Sequence, residues 1–217
     1  MPVFAQIINM LAALFLLVAF AMLTQRRIVH LINLYALQGA ILAFSIIAVA
    51  YGTHQQSLYF SAALNALLKV VVIPMILHRL VRRLRIAWDR ESLLRAPTLL
   101  LTGLVLNIFA FNTALPIEQL AGTVNRDTFA IALSSVLLSL LMMIVRKTAI
   151  TQVLGFLSLE NGLIFAATSV TYGMPMMIEL GIALDVIVGV FILGVFFFHI
   201  REEFDSLDLH NLDRLGD

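Results

Sequence analysis

Three ionisable side chains sit inside segments that are otherwise apolar: Lys69 in NALLKVVVIPMIL, Glu160 in GFLSLENGLIF and Asp185 in GIALDVIVGVFILG. In a bilayer each costs about 2.5–3.5 kcal/mol at a helix centre, so such residues turn toward other protein or a wet cavity. A carboxylate withdrawn from water has its charged form disfavoured and can carry a proton near neutral pH, while a nearby ammonium opposes this. Two acids and one lysine within reach of one another can therefore act as a proton relay, in which moving one charge alters the proton affinity of the next. The same residues could instead be static ion pairs that hold helix register. Gln38, Asn65, Asn161 and Glu179 are the polar residues placed to support a relay, although Glu179 falls close to the outer membrane surface, where an acid is unremarkable.

Other chemistries lack their residues. There is no cysteine, which excludes thiolate ligation of iron–sulfur clusters, structural disulfides and a thiolate nucleophile. His30, His54, His78 and His199 are scattered, with no H-x-x-x-H or H-E-x-x-H spacing, so no metal site and no catalytic residue is assigned. Any redox chemistry must reside in a partner, and the chain is expected to be non-catalytic and without a cofactor of its own.

The elements that must position these residues follow from composition. Of 217 residues, 61% are hydrophobic and only 12% charged, and the mean hydropathy is +1.01, beyond the roughly 45–50% apolar share of soluble domains. Apolar runs of about 20 residues without period-2 alternation point to membrane-spanning helices and away from a barrel. The predicted fold class is all-α, with seven spans at about 3–23, 31–51, 57–80, 97–115, 128–145, 150–172 and 177–199. The first run ends in AFAML, but it lacks a basic leader and continues into Arg26 and Arg27 as a retained span does. Arg26, Arg27, Arg79, Arg82, Arg83, Arg85, Arg90, Arg95, Arg146, Lys147, Arg201 and Arg214 fall on one side and Arg126 on the other, which predicts the N-terminus outside and the C-terminus in the cytoplasm.

A repeat lies beneath the spans. Spans 1–3 match spans 5–7: a basic pair opens the second helix of each set, LLKVVVIPMIL at 67–77 lies over ALDVIVGVFIL at 183–193, and YALQGAIL corresponds to LSLENGLI. Lys69 then falls opposite Asp185, and Gln38 opposite Glu160 or Asn161. Span 4 restores the orientation, giving a 3+1+3 arrangement of two parallel three-helix repeats. The predicted organisation is a first repeat with its basic loop at 1–96, a linking helix and outer loop at 97–127, a second repeat at 128–204, and a tail at 205–217.

Helix faces sharpen the expectation. Gly181, Asp185 and Gly189 form one small-residue stripe, and Ala62, Asn65, Ala66 and Lys69 another, both predicted to look into the bundle. On span 6 the small face is Thr151, Gly155, Ser158, Gly162 and Ser169, whereas Glu160 points elsewhere, toward a different helix or a neighbouring subunit. RLVRRLRIAWDRESLLR, 79–95, reads as an interfacial helix on anionic lipid with Trp88 at headgroup level. Beside seven spans, nucleic-acid binding is not expected. The tail SLDLHNLDRLGD suits docking on a soluble partner as well as it suits simple solvation.

The basic pair, Gly155, Glu160-Asn161-Gly162, ELGIALDVIVGVFIL and the closing SLDLHNLDRLGD, together with Lys69 followed by Pro74, resemble the hydrogenase-4 component E family. The C-terminal half of that family is similar to the K subunit of respiratory complex I and to the C subunit of Mrp-type antiporters. This resemblance implies a cofactorless membrane-arm subunit of a complex I-like assembly of the group 4 nickel–iron hydrogenase or formate hydrogenlyase type, in the bacterial inner membrane. It implies antiporter-like and membrane-anchor subunits as neighbours, a cytoplasmic hydrogenase module docked by the tail, and a NiFe centre and iron–sulfur clusters in those partners. The second of the two K-type helix carboxylates maps onto Asp185, as Asp in place of Glu. The first would fall at Leu157, whereas this chain carries its acid at Glu160, a shift of about 5 Å along the helix. Gln38 and Lys69 replace acids in the first repeat, which looks like a degenerate copy that tunes the acids. A structural assembly subunit and an autonomous ion transporter are the alternatives; the second is disfavoured by the want of a broken helix or an evident substrate cavity.

Overall fold

In a computed structural model the protein is described over residues 2–53, 56–84, 95–121 and 126–171, and at 180–181, 183–190, 192 and 194. Regular structure there is helical throughout: α1 Pro2–Thr24, α2 Ile28–Thr53, α3 Gln56–Ala66, a π-helical segment Leu67–Val72, α4 Ile73–Leu84, α5 Ala96–Ala121, α6 Arg126–Val145 and α7 Ala149–Thr171. With α3, the π segment and α4 forming one continuous rod, six helical spans are long and apolar enough to cross a membrane. They coincide within a few residues with the first six predicted spans. Of the seventh, residues 183–190 are helical, but the span as a whole, Glu179, His54, His199, Trp88 and the tail lie outside the described residues.

Hydrocarbon offers backbone groups no water, so a spanning chain must satisfy them within its own helices. Side-chain hydroxyls follow the same rule. Ser45, Thr53, Thr102, Thr113, Ser135 and Thr168 each donate to the carbonyl four residues back, which lets even the exposed Thr102 and Thr113 of α5 sit on an apolar surface.

The helices pack through their small and aromatic residues. α1 lies against α2, α5 and α6, and α7 lies against α6 and α2. Phe15 of α1 stacks on Phe165 of α7 with ring centroids 4.7 Å apart. On α7 the missing side chains of Gly155 and Gly162 admit Met143 and Val136 of α6, and the Ser139 and Ser158 hydroxyls bond across the same seam at 2.8 Å. The small face of α7 thus belongs to α6, as close-packed membrane helices require. α5 is peripheral, with Leu101, Leu104, Val105, Ile108 and Phe109 exposed on its outer side.

The π segment is the feature that the apolar pattern does not foretell. Pro74 has no N–H, and in an α-helix its ring would press on the carbonyl of Val70. A π register moves the hydrogen bonds to a five-residue spacing, and the Ile73 N–H bonds Leu68 O accordingly. Lys69 lies within this widened turn.

Candidate functional site: a buried lysine between two acids

Lys69, Glu160 and Asp185 meet. The Lys69 Nζ lies 3.0 Å from Glu160 Oε1 and 3.0 Å from Asp185 Oδ1, with all three side chains shut off from the surface. The ammonium donates a hydrogen bond to Glu160; its approach to Asp185 is equally close but is not aligned as a hydrogen bond. Three segments supply the group: the π turn of the third span, the middle of α7, and the helical stretch 183–190. One ammonium balances one carboxylate, so the second acid leaves an excess negative charge unless a proton is bound to the cluster. In a low-dielectric interior that excess is costly, and the protonation of either acid depends on the other.

Glycine and a proline set the geometry. A β-carbon on Gly39 of α2 would stand 2.8 Å from the Lys69 Cβ, closer than such atoms approach. Only glycine therefore lets α2 cross directly over the lysine. Gly181 has the same role beside the acids: its added β-carbon would collide with Ile164 and reach within 3.2 Å of Glu160 Oε1. Gly39→Ala is expected to force α2 and the π turn apart, costing about 1–3 kcal/mol as overpacking does, offset by at most about 1 kcal/mol of helix propensity. Unfolding by dodecyl sulfate in mixed micelles checks this; a Gly39→Ala protein as stable as the parent would show that the crossing has slack.

The supporting residues divide. Asn161 Nδ2 donates to Gln38 Oε1 at 3.3 Å, joining α7 to α2 beside the triad. Asn65 is fully buried one turn before Lys69. Glu160 does address a different partner from the small face of α7, and that partner lies within this same chain. The stripe at 181–189 needs correction: Gly181 and Asp185 are buried, whereas Gly189 has nothing within 4 Å of its would-be side chain. Val188 and Ile192, in place of Gly189, carry the packed face onward. Leu157, where the resemblance would put the first acid, is packed in the hydrophobic core.

Two residues of the site were not singled out by the sequence. Tyr35, fully buried one turn before Gln38, lies near enough to both acids to feel their charge. Its position at i−3 from a buried glutamine was the available signal. Arg146 counted only as an orienting surface charge, yet its guanidinium is buried and donates to the backbone carbonyls of Leu23, at 3.0 Å, and Gln25. It thereby closes the C-terminal end of α1, where helix carbonyls lack partners. Among the described residues no group of three or more histidine or acidic residues could hold a metal ion.

Residues that the sequence comparison set opposite one another are in contact. Lys69 contacts Asp185, Gln38 contacts Asn161, α1 packs on α6 and α2 on α7.

The chain is 31% identical to the uncharacterized protein Rv0085 of Mycobacterium tuberculosis over 218 residues, which cover 99% of this chain and 98% of that protein. It is 25% identical to hydrogenase-4 component E of Escherichia coli strain K12 over 214 residues, 97% of this chain and 98% of that protein, and equally to hydrogenase-4 component E of Shigella flexneri. No family model matches the chain, and no solved structure matches it significantly.

Proposed function

The chain belongs to the family of its mycobacterial relative, and from that membership and its full-length kinship with hydrogenase-4 component E we propose that it is a membrane subunit of a hydrogenase complex whose buried acids carry protons. The observation that carries the second half is a single ammonium held 3.0 Å from two carboxylates inside the helical bundle. Ionisable groups at such depth are costly and mark ion paths more often than scaffolding. In this reading Glu160 and Asp185 exchange a proton, and Lys69 decides which of them keeps it by the side on which its charge rests. The lysine's π turn fits this reading, since π segments recur at functional sites.

The subunit performs no redox step itself. Its residues hold, orient and pass protons, while a NiFe centre and iron–sulfur clusters belong to partner subunits. Antiporter-like and membrane-anchor subunits are its proposed neighbours, with the cytoplasmic module reached through the tail. The kinship of the C-terminal half with the K subunit of complex I and the C subunit of Mrp-type antiporters, the 3+1+3 count and the two parallel repeats are part of the same proposal, supported by the matched contacts across the chain. So is an orientation in the bacterial inner membrane with the C-terminus inside, supported by Arg26, Arg27, Arg82, Arg83, Arg146 and Lys147 gathering at one end of the bundle.

Glu160→Gln and Asp185→Asn test it in the assembled complex, with hydrogenase turnover and proton translocation measured in inverted vesicles. Each is expected to lower translocation about a hundredfold, the low end of what positioned acids and bases contribute, with the subunit still present. Undiminished translocation in both variants would refute the relay and leave the structural reading, in which the ions lock three helices together.

A further inference from the structure

Buried polar groups crowd the triad without partners among the described residues. They are the Tyr35 hydroxyl, the Gln38 amide nitrogen, both amide atoms of Asn65, the Asn161 carbonyl oxygen, and the remaining oxygens of Glu160 and Asp185. All six residues are sealed from the surface. Low dielectric makes each unmet group costly, and four residues beside the unmet oxygens of the two acids are too many to be incidental. Hydroxyl and amide donors are mixed with carbonyl and carboxylate acceptors. A cation would satisfy the acceptors and repel the donors, and an anion would do the reverse. Water, which donates and accepts in any direction, matches the mixture, and a site with two to four polar partners is what a buried water needs.

The site has a direction. Tyr35 precedes Gln38 by three residues, so it lies about 4.5 Å nearer the start of α2, the end marked by Arg26 and Arg27. Asn65 precedes Lys69 by one turn in a span that runs toward Arg82 and Arg83 at its far end. Asn65 therefore lies one turn farther from the arginines than the Lys69 backbone.

We propose that Tyr35 and Asn65 bind buried water on opposite sides of the Lys69–Glu160–Asp185 triad and so connect it toward both ends of the bundle, Tyr35 as a relay step and Asn65 as an orienting one. The role in proton transfer rests on the relay reading above; the water site does not. Tyr35 passes a proton by accepting a hydrogen bond from one water and donating its own hydrogen to the next acceptor, and it ends chemically unchanged. Asn65 keeps its protons, and its carbonyl and amide groups fix the orientation of the water.

Two measurements on the full chain in its native complex decide the matter. In X-ray hydroxyl-radical footprinting, buried water converts to hydroxyl radical in place, so Tyr35 is expected to be labelled readily while Phe15, equally buried in a stacked apolar pair, is not. Labelling of Tyr35 no faster than Phe15 would overturn the water site whatever the acids do. In inverted vesicles, Tyr35→Phe and Asn65→Leu are each expected to slow proton translocation about threefold to tenfold, the kinetic equivalent of one lost hydrogen bond, with the complex assembled to the same level. Full translocation in Tyr35→Phe, with Glu160→Gln and Asp185→Asn inactive, would remove Tyr35 from the path and leave the relay standing. If those two acid variants are fully active, the relay reading itself has failed, and the footprint alone then decides the water site.

Discussion

Lys69→Met is expected to be the most damaging single substitution in the protein, costing about 3–5 kcal/mol, the usual penalty when one partner of a buried ion pair is removed. Methionine keeps the length of the side chain and its packing beneath Gly39, so the loss isolates the charge. It leaves Glu160 and Asp185 buried on the site the ammonium occupied, with carboxylate oxygens within about 6 Å of each other, since each lies 3.0 Å from the same nitrogen. Sulfate-detergent unfolding and the amount of the protein in purified membranes should both register the change. The companion is the triple variant Lys69→Met, Glu160→Gln, Asp185→Asn, in which no charge remains to be balanced. Its stability is expected to return most of the way, while proton translocation stays lost. A triple variant as unstable as the single one would place the penalty in packing around the π turn, and a single variant of normal stability would mean that the acids find another counter-charge.

Arg146→Met is the second large effect, about 3 kcal/mol, from the loss of charge-assisted bonds to the carbonyls of Leu23 and Gln25 and from the acceptors left unmet at the buried end of α1. Arg146→Lys should recover only part of this, because one ammonium does not reproduce the fork of a guanidinium. The orienting charge is the same in the lysine variant, so insertion topology is expected to be unchanged while stability falls. Normal stability in both variants would return Arg146 to the role of a surface charge. The damage should first appear as loosening of α1 from α6 and α7, since Arg146, just after α6, is bonded to the end of α1, and Phe15 of α1 stacks on Phe165 of α7.

Much of this protein was legible in its sequence because a bilayer permits few solutions. With 61% hydrophobic residues, spans must be helices, and their lengths and the basic pairs between them follow from the thickness of hydrocarbon and the placement of charge. The cost of burying an ion likewise singled out Lys69, Glu160 and Asp185, since an unpaired ion at such depth would not be tolerated. The similarity between the two halves of the sequence set Lys69 opposite Asp185 and Gln38 opposite Glu160 or Asn161, but such similarity states equivalence and is silent about contact. Tertiary structure decided that Lys69 meets Asp185 and that Gln38 meets Asn161, because contact depends on which helix faces are turned together. It also decided that one lysine serves both acids, that Tyr35 is fully buried one turn before the Gln38 that bonds Asn161, and that Arg146 is interior. Periodicity could not reveal the π turn either: it arises where Pro74 removes one hydrogen bond and the helix finds a wider register, while the apolar pattern on either side stays the same.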